Sequence, residues 1–135
     1  MLFRSRSDRI PLLCLPGLTR NSKDFDAVAR RQSAHRRVIC PDLRGRGRSG
    51  YARDWRSYEP TVYLDDIRNL LAALGVERFV VLGTSLGGLL GMALATTMAP
   101  GLAGLILNDV GPQVDRKSTR LNSSHTDISR MPSSA

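Results

Sequence analysis

Residues 78–91 read Arg-Phe-Val-Val-Leu-Gly-Thr-Ser-Leu-Gly-Gly-Leu-Leu-Gly, and their pattern is the most informative in the sequence. Its apolar, partly β-branched run 79–82 predicts a buried strand, and the apolar segment after the glycines predicts a buried helix. A sharp turn between the two would leave the side chain of Ser85 at its apex. Such a turn needs residues that nearly lack side chains two positions before and two positions after the apex, and Gly83 and Gly87 meet that need.

A Gly-x-Ser-x-Gly sequence between a strand and a helix is a nucleophile elbow, and here the chain resembles the α/β-hydrolase family. The resemblance covers about residues 10–114. It implies an α/β fold, a three-layer sandwich around a parallel sheet, with about four of the family's strands present. It also implies that Ser85 is the nucleophile. The alternative is a glycine-rich turn whose serine caps the helix, and the strand–turn–helix context favours the elbow.

Other apolar runs predict the remaining strands, at 11–15, 37–42 and 105–107, and an apolar stripe predicts an amphipathic helix over 61–74. Asp65 and Asp66 are expected in the first turn of this helix, where they favour its positive end. Strands that alternate with helices predict right-handed β-α-β units and a parallel sheet. The resemblance implies that the first of these strands lies between the second and the elbow strand. Ligands of such sheets bind where the strand order reverses, outside the carboxyl ends of the strands.

The loop after the first strand reads Pro16-Gly17-Leu18. In the family this loop supplies one backbone N–H of the oxyanion hole, so the resemblance implies that Leu18 is a donor. The second donor would be the N–H of Leu86, at the start of the elbow helix. A plain Pro-Gly turn without a catalytic role is the alternative for the loop.

A loop rich in arginine and glycine, Asp42-Leu-Arg-Gly-Arg-Gly-Arg-Ser-Gly50, follows the second strand. It resembles a loop that is common at this place in the family. Residues 45–50 also fit the G-x-G-x-x-G dinucleotide fingerprint, but that fingerprint must open a helix, and 51–58 show no helical stripe. We interpret it as a structural loop beside the active-site mouth. The alternative function is a non-catalytic module that binds nucleic acid or a dinucleotide through loop 44–50.

A nucleophilic serine needs a general base, and the base needs an orienting acid. In the family these follow the serine in the order acid, then histidine. Asp109, at the end of the last predicted strand, is a candidate acid, although an aspartate that fixes nearby backbone is the favoured interpretation. Of the two histidines, His35 precedes the second strand, at the wrong end for a base, and His125 lies in a segment without apolar periodicity.

That segment, residues 115–135, is rich in Ser, Thr and Arg, and its composition predicts disorder. It resembles peptides translated from sequencing-adapter or vector DNA. Residues 1–9 are charged and predict an irregular segment or the stub of an edge strand. We therefore expect a truncated hydrolase, inactive or nearly so without its histidine. The intact parent would hydrolyse carboxylic esters, lactones or thioesters through a serine acyl-enzyme, and its lid would select the substrate.

Composition limits the other function classes. The net charge of +8 could indicate nucleic acid, but aromatic residues make up only 5% of the chain, so stacking platforms are scarce. Cys14 and Cys40 have no metal-binding spacing and predict buried thiols in a reducing compartment. No signal peptide is evident, and the apolar stretch 86–99 is too short to span a bilayer. We expect a cytoplasmic protein that acts on a small acyl substrate, without a cofactor, metal or nucleic acid.

Overall fold

The computed structural model describes the backbone of residues 2–3 and the structure of residues 9–108. The strands are β1 (Leu2–Phe3), β2 (Leu12–Leu15), β3 (Val38–Ile39), β4 (Phe79–Thr84) and β5 (Leu102–Asn108). The α-helices are α1 (Asp26–Gln32), α2 (Pro60–Ala73) and α3 (Leu86–Thr97), and short 3-10 helices span Ser22–Phe25 and Trp55–Ser57. All predicted strands and helices are present, but β3 is shorter and β5 is longer than their apolar runs indicated.

The five strands form one sheet in the order β1-β3-β2-β4-β5. The four strands from β3 to β5 are parallel, and β1 pairs with β3 in the antiparallel direction. The expected parallel sheet is thus confirmed. β2 lies between β3 and β4, as the family resemblance implied, so the carboxyl ends of β2 and β4 lie side by side.

Helices cover both faces of this sheet and make it the middle of three layers. On one face, α2 and α3 bury Ile67, Leu71, Leu90 and Leu94 against alternate strand residues such as Leu13 and Val81. On the other face, Phe25 and Ala29 pack against the intervening strand residues, which include Leu12 and Val38. Alternate side chains of a strand point to opposite faces, so the apolar β2 contributes to both cores.

Two thiols belong to the smaller of these cores. Cys14 lies on β2 and Cys40 directly follows β3, and both are fully buried. The hydrogen bond to Cys40 and the loss of water around it both raise the pKa of the Cys14 thiol, which therefore stays neutral. The sequence-based expectation of buried thiols is confirmed.

One prediction about α2 was wrong. Asp65 and Asp66 were expected in the first turn of this helix, but α2 starts at Pro60 and its first turn holds no acidic residue. Proline at the first helical position needs no N–H partner, and its fixed φ suits a helix start. The two aspartates instead pair with arginines, Asp65 with Arg68 and Asp66 with Arg44.

Candidate functional site

Ser85 stands between the end of β4 and the start of α3, at the edge of the sheet where the parallel strands end. Its backbone has φ 51° and ψ −116°. Among the described residues it is the only one other than glycine with a positive φ. An L-residue at positive φ crowds its own Cβ, so this conformation persists only where the surroundings impose it.

Two glycines make the turn possible because they leave room for close contacts between main-chain segments. A Cβ atom added at Gly83 would lie 2.6 Å from the main-chain N of Gly88. A Cβ atom at Gly87 would lie 2.8 Å from the Cβ of Leu15 and closer still to the Leu15 carbonyl group. The first position lets α3 fold back over β4, and the second lets α3 approach β2.

Hydrogen bonds of the main chain hold Ser85 from both sides. Its N–H donates to the carbonyl of Asn108 at the end of β5 over 3.3 Å. Its carbonyl accepts from the N–H groups of Gly88 and Leu89 over 2.9 and 3.1 Å. The Ser85 side chain makes no capping hydrogen bond to α3. The alternative role of Ser85 as a cap of this helix is therefore not observed.

The loop after β2 faces Ser85. A Cβ atom built on Gly17 would lie 3.6 Å from the Cβ of Ser85. Pro16 is fully buried, whereas Leu18 is 56% exposed. A hydrogen bond of 3.2 Å from the N–H of Arg20 to the carbonyl of Gly17 closes the turn that contains Leu18. The loop and the elbow are therefore adjacent, as the strand order predicts.

Two backbone N–H groups, those of Leu18 and Leu86, directly follow the two residues that make this contact, Gly17 and Ser85. In the part of the chain that the structure describes, the N–H groups of Leu18 and Leu86 donate to no other group. The N–H groups of a helix's first turn have no partner within the helix, and the helix dipole adds positive potential there. The start of α3 beside Ser85 therefore suits an oxygen that acquires negative charge.

Asp42 organises the loop after β3. Its carboxylate accepts hydrogen bonds from the N–H of Ser22 over 2.7 Å and from the N–H of Arg48 over 3.0 Å. Partial burial acts to raise the pKa of Asp42, but these two N–H groups, with the Ser22 side chain, outweigh it and the pKa is lowered overall. Gly47 (φ 53°) lies against this carboxylate, leaving no room for a Cβ atom.

Two of the loop's three arginines are engaged within the protein. Arg44 forms a two-pronged ion pair with Asp66 over 2.8 and 3.0 Å. Arg46 donates to the carbonyl of Leu18 over 2.6 Å. No helix starts at the end of this loop, because the next helical residues are Trp55–Ser57. This arrangement argues against a dinucleotide fingerprint and leaves only the Arg48 side chain directed away from such contacts.

The described residues include neither the candidate acid nor the histidine that follows it in the sequence. Asp109 and His125 lie outside the described residues. His35 is exposed and precedes β3, so it lies at the amino ends of the strands, whereas Ser85 lies at a carboxyl end. Its expected place on the surface, away from the site, is confirmed. Within residues 9–108 no group of three His, Cys, Asp or Glu side chains could hold a metal ion.

The sequence did not reveal the contact between Arg46 and Leu18. It joins residues 28 positions apart, and no local pattern marks such a pair.

None of the described helices is both long and apolar enough to cross a membrane.

Comparison with known proteins places these features in a family. A family model described as the alpha/beta hydrolase fold matches residues 10–125. A 3-hydroxybutyrate-oligomer hydrolase of Cupriavidus necator is 46% identical over 103 residues, which are 76% of this chain and 35% of that protein. The chain thus spans about a third of the length of this curated relative.

Solved structures agree with the family match. The crystal structure of an alpha/beta hydrolase from Novosphingobium aromaticivorans is 48% identical, has a TM-score of 0.84, and is matched over 91% of this chain and 44% of that chain. An N-acyl homoserine lactonase complexed with N-hexanoyl homoserine is 33% identical, with a TM-score of 0.72, over 80% of this chain and 40% of that chain.

Proposed function

Because the chain belongs to the α/β-hydrolase fold family, we propose that Ser85 is the nucleophile of a hydrolase that cleaves carboxylic ester, lactone or thioester bonds. One observation gives this proposal its main support. Ser85 occupies a positive-φ position at the turn from β4 to α3, with an uncapped hydroxyl, and Gly17 of the adjacent loop approaches it. This is the conformation that the nucleophile elbow requires.

The chemistry follows from the groups around Ser85. Its Oγ attacks the substrate carbonyl carbon and gives its proton to a general base. The carbonyl oxygen becomes an oxyanion, which the N–H groups of Leu18 and Leu86 would bind. The leaving group departs with a proton, and water then hydrolyses the acyl-serine. One such backbone donor is worth about 3–4 kcal/mol of transition-state stabilisation.

The relatives support the substrate class. One is called a hydrolase of 3-hydroxybutyrate oligomers, which are esters, and another is a lactonase. Both act on an acyl–oxygen bond, in which the same carbonyl attack releases an alcohol. We therefore expect esters and lactones of short hydroxy acids to be the first substrates to test.

The general base must come from outside the described residues. His35 is the only histidine among them, and it lies at the amino ends of the strands, opposite the end where Ser85 lies. Asp109 directly follows Asn108, whose carbonyl binds the Ser85 N–H, and it remains a candidate for the orienting acid. We expect the 135-residue chain alone to show little or no turnover. We expect the intact parent protein, which would carry the histidine and is called the full-length protein below, to be active.

The test is hydrolysis of p-nitrophenyl butanoate and of 3-hydroxybutyrate oligomers by the full-length protein. Ser85→Ala should lower kcat by at least about a thousandfold, because the nucleophile is lost. Ser33→Ala is the matched control, since its hydroxyl binds the Arg30 carbonyl at the end of α1, far from the site. Covalent labelling of Ser85 by a fluorophosphonate, read by mass spectrometry, should disappear in Ser85→Ala. Full activity of Ser85→Ala would refute the proposal.

A further inference from the structure

The side chain of Arg46 extends from the arginine-rich loop to the loop beside Ser85. Its Nε donates to the carbonyl oxygen of Leu18 over 2.6 Å. One Nη donates to the hydroxyl of Tyr63 over 3.2 Å, and the other to the carbonyl of Arg44 over 3.3 Å. The guanidinium therefore joins three separate parts of the chain.

The partners of Arg46 are themselves fixed. Tyr63 lies on α2 and is only 3% exposed, and the guanidinium stacks 5.0 Å from the centre of its ring. A planar guanidinium can donate in several directions while it stacks on an aromatic face, which an ammonium cannot do. Arg44 is held in turn by its ion pair with Asp66 on the same helix. Arg46 thus links the loop after β2 to α2, through its bonds to Leu18 and Tyr63.

Leu18 has little else to hold it. Its side chain is 56% exposed, so apolar burial contributes little to fixing the tip of the loop. Pro16 anchors the start of the loop in the core, and the bond from Arg20 to Gly17 closes the turn. The Arg46 side chain supplies the remaining support by binding the carbonyl of Leu18. The N–H of Leu18 itself has no partner in the described structure.

We propose that Arg46 is a positioning residue for the oxyanion hole: it holds the turn at Leu18 so that the Leu18 N–H stays directed at the site of Ser85. This inference rests on the proposed function. An oxyanion donor acts only if it is placed before the charge develops, and a displacement of about 1 Å can reduce the rate about a hundredfold. Without Arg46, the exposed tip of the loop would sample other positions.

The experiment compares variants of the full-length protein. Arg46→Met removes the three donors, Arg46→Lys keeps the charge without the planar fork, and Arg48→Met removes the same charge from the same loop. Arg48 is the matched control because its side chain is exposed and only its backbone N–H is used, by Asp42. Each variant is assayed for kcat and KM with p-nitrophenyl butanoate.

We expect Arg46→Met to lower kcat about 10- to 100-fold while KM changes by less than about threefold, because the lost interaction acts in the transition state. Arg46→Lys should fall between wild type and Arg46→Met, and Arg48→Met should stay within about twofold of wild type. An unchanged kcat in Arg46→Met, a loss confined to KM, or an equal loss in Arg48→Met would overturn the inference.

Amide hydrogen exchange of the segment 15–20 provides a readout that does not need turnover. Exchange should accelerate in Arg46→Lys, and more so in Arg46→Met, but not in Arg48→Met. Unchanged exchange in both Arg46 variants would contradict the inference even if Arg46→Met proves unstable. Wild-type activity in Ser85→Ala would instead reject the proposed function, and the exchange data would still decide whether Arg46 holds the loop.

Discussion

Gly87, in the first turn of α3, lies directly against the main chain of Leu15 at the end of β2. A Cβ atom at position 87 would sit 2.8 Å from the Leu15 Cβ and nearer still to the Leu15 carbonyl. β2 leads into the loop that carries Leu18, and α3 starts at the residue after Ser85. The separation of the two halves of the candidate site therefore depends on the absence of a side chain at Gly87.

We predict that Gly87→Ala lowers the free energy of unfolding by about 1–3 kcal/mol, the range for overpacking a filled interior. The added methyl group meets backbone, which cannot rotate away as a flexible side chain could. Urea unfolding of the chain, followed by circular dichroism, measures the change.

Gly104→Ala in β5 is the matched control for this substitution. A Cβ atom there would lie 3.6 Å from a methyl group of Val80, which is an ordinary contact. We expect a change within about 0.5 kcal/mol. Equal effects of the two alanines would show that α3 can move away from β2 at no cost, against the close contact described above.

Local sequence was sufficient to predict the turn at Ser85 and the buried strands, whereas the order of the strands was implied by the family resemblance. A strand that turns sharply into a helix leaves no room for side chains two residues before and two residues after the turn. The spacing of Gly83, Ser85 and Gly87 meets this requirement within five consecutive residues. The buried strand β2 was predictable for a similar reason, since an unbroken apolar run with no polar face must be covered on both sides. Both predictions depended on short-range chemistry alone.

Long-range pairing was not predictable in the same way. Asp66 was expected to favour the start of its helix, but the helix begins earlier, at Pro60, and Asp66 instead binds Arg44 across the fold. Likewise, the sequence marked Arg46 as one of several basic residues and gave no sign that it binds Leu18. Such contacts depend on how α2 and two loops are placed by the sheet, which no single segment encodes.

The lowered pKa of Asp42 predicts that its contribution to the stability of the folded chain depends on pH. A carboxyl group whose pKa is lower in the folded than in the unfolded chain adds stability above its unfolded pKa, about 3.9, and that stability is lost as the pH falls through the folded value. We expect Asp42→Asn to be less stable than wild type at pH 7. The difference should shrink as the pH falls below about 4, where the unfolded chain takes up a proton at Asp42, and should vanish once the folded carboxylate, with its lowered pKa, is protonated as well. Urea midpoints between pH 3 and pH 7 measure it.

Asp65→Asn controls for the general loss of a negative charge. The Asp65 side chain is 69% exposed and contacts only Arg68, one turn away on α2. Exposed pairs of this kind contribute about 0–1 kcal/mol, so we expect a small effect at pH 7. If Asp42→Asn were no more destabilising than Asp65→Asn, the bonds from Ser22 and Arg48 would not be what fixes this loop.

Cys14 and Cys40 should resist thiol reagents in the folded chain. Both side chains are fully buried, so the reagent cannot reach either sulfur atom. The raised pKa of Cys14 also keeps its thiol protonated, whereas the reactive form is the thiolate. Cys40, whose pKa is lowered by the hydrogen bond with Cys14, is protected by burial alone. With DTNB we expect no rapid reaction under native conditions and reaction of both thiols in 6 M guanidinium chloride, about the concentration at which most domains are unfolded. Fast native labelling of either residue would mean that the core on the α1 side of the sheet opens readily.

The strain at Ser85 can be measured apart from its chemistry by comparing Ser85→Gly with Ser85→Ala. Both variants lose the hydroxyl, and only alanine keeps a Cβ atom. Because φ 51° and ψ −116° lie where a Cβ atom costs about 1–3 kcal/mol, we expect Ser85→Gly to be more stable than Ser85→Ala by at least about 1 kcal/mol in urea unfolding. Ser33 at the end of α1 has helical angles, φ −63° and ψ −18°, so there glycine should be less stable than alanine. If alanine is as stable as glycine at position 85, or more stable, then Ser85 is not strained, and the elbow would lose its physical basis.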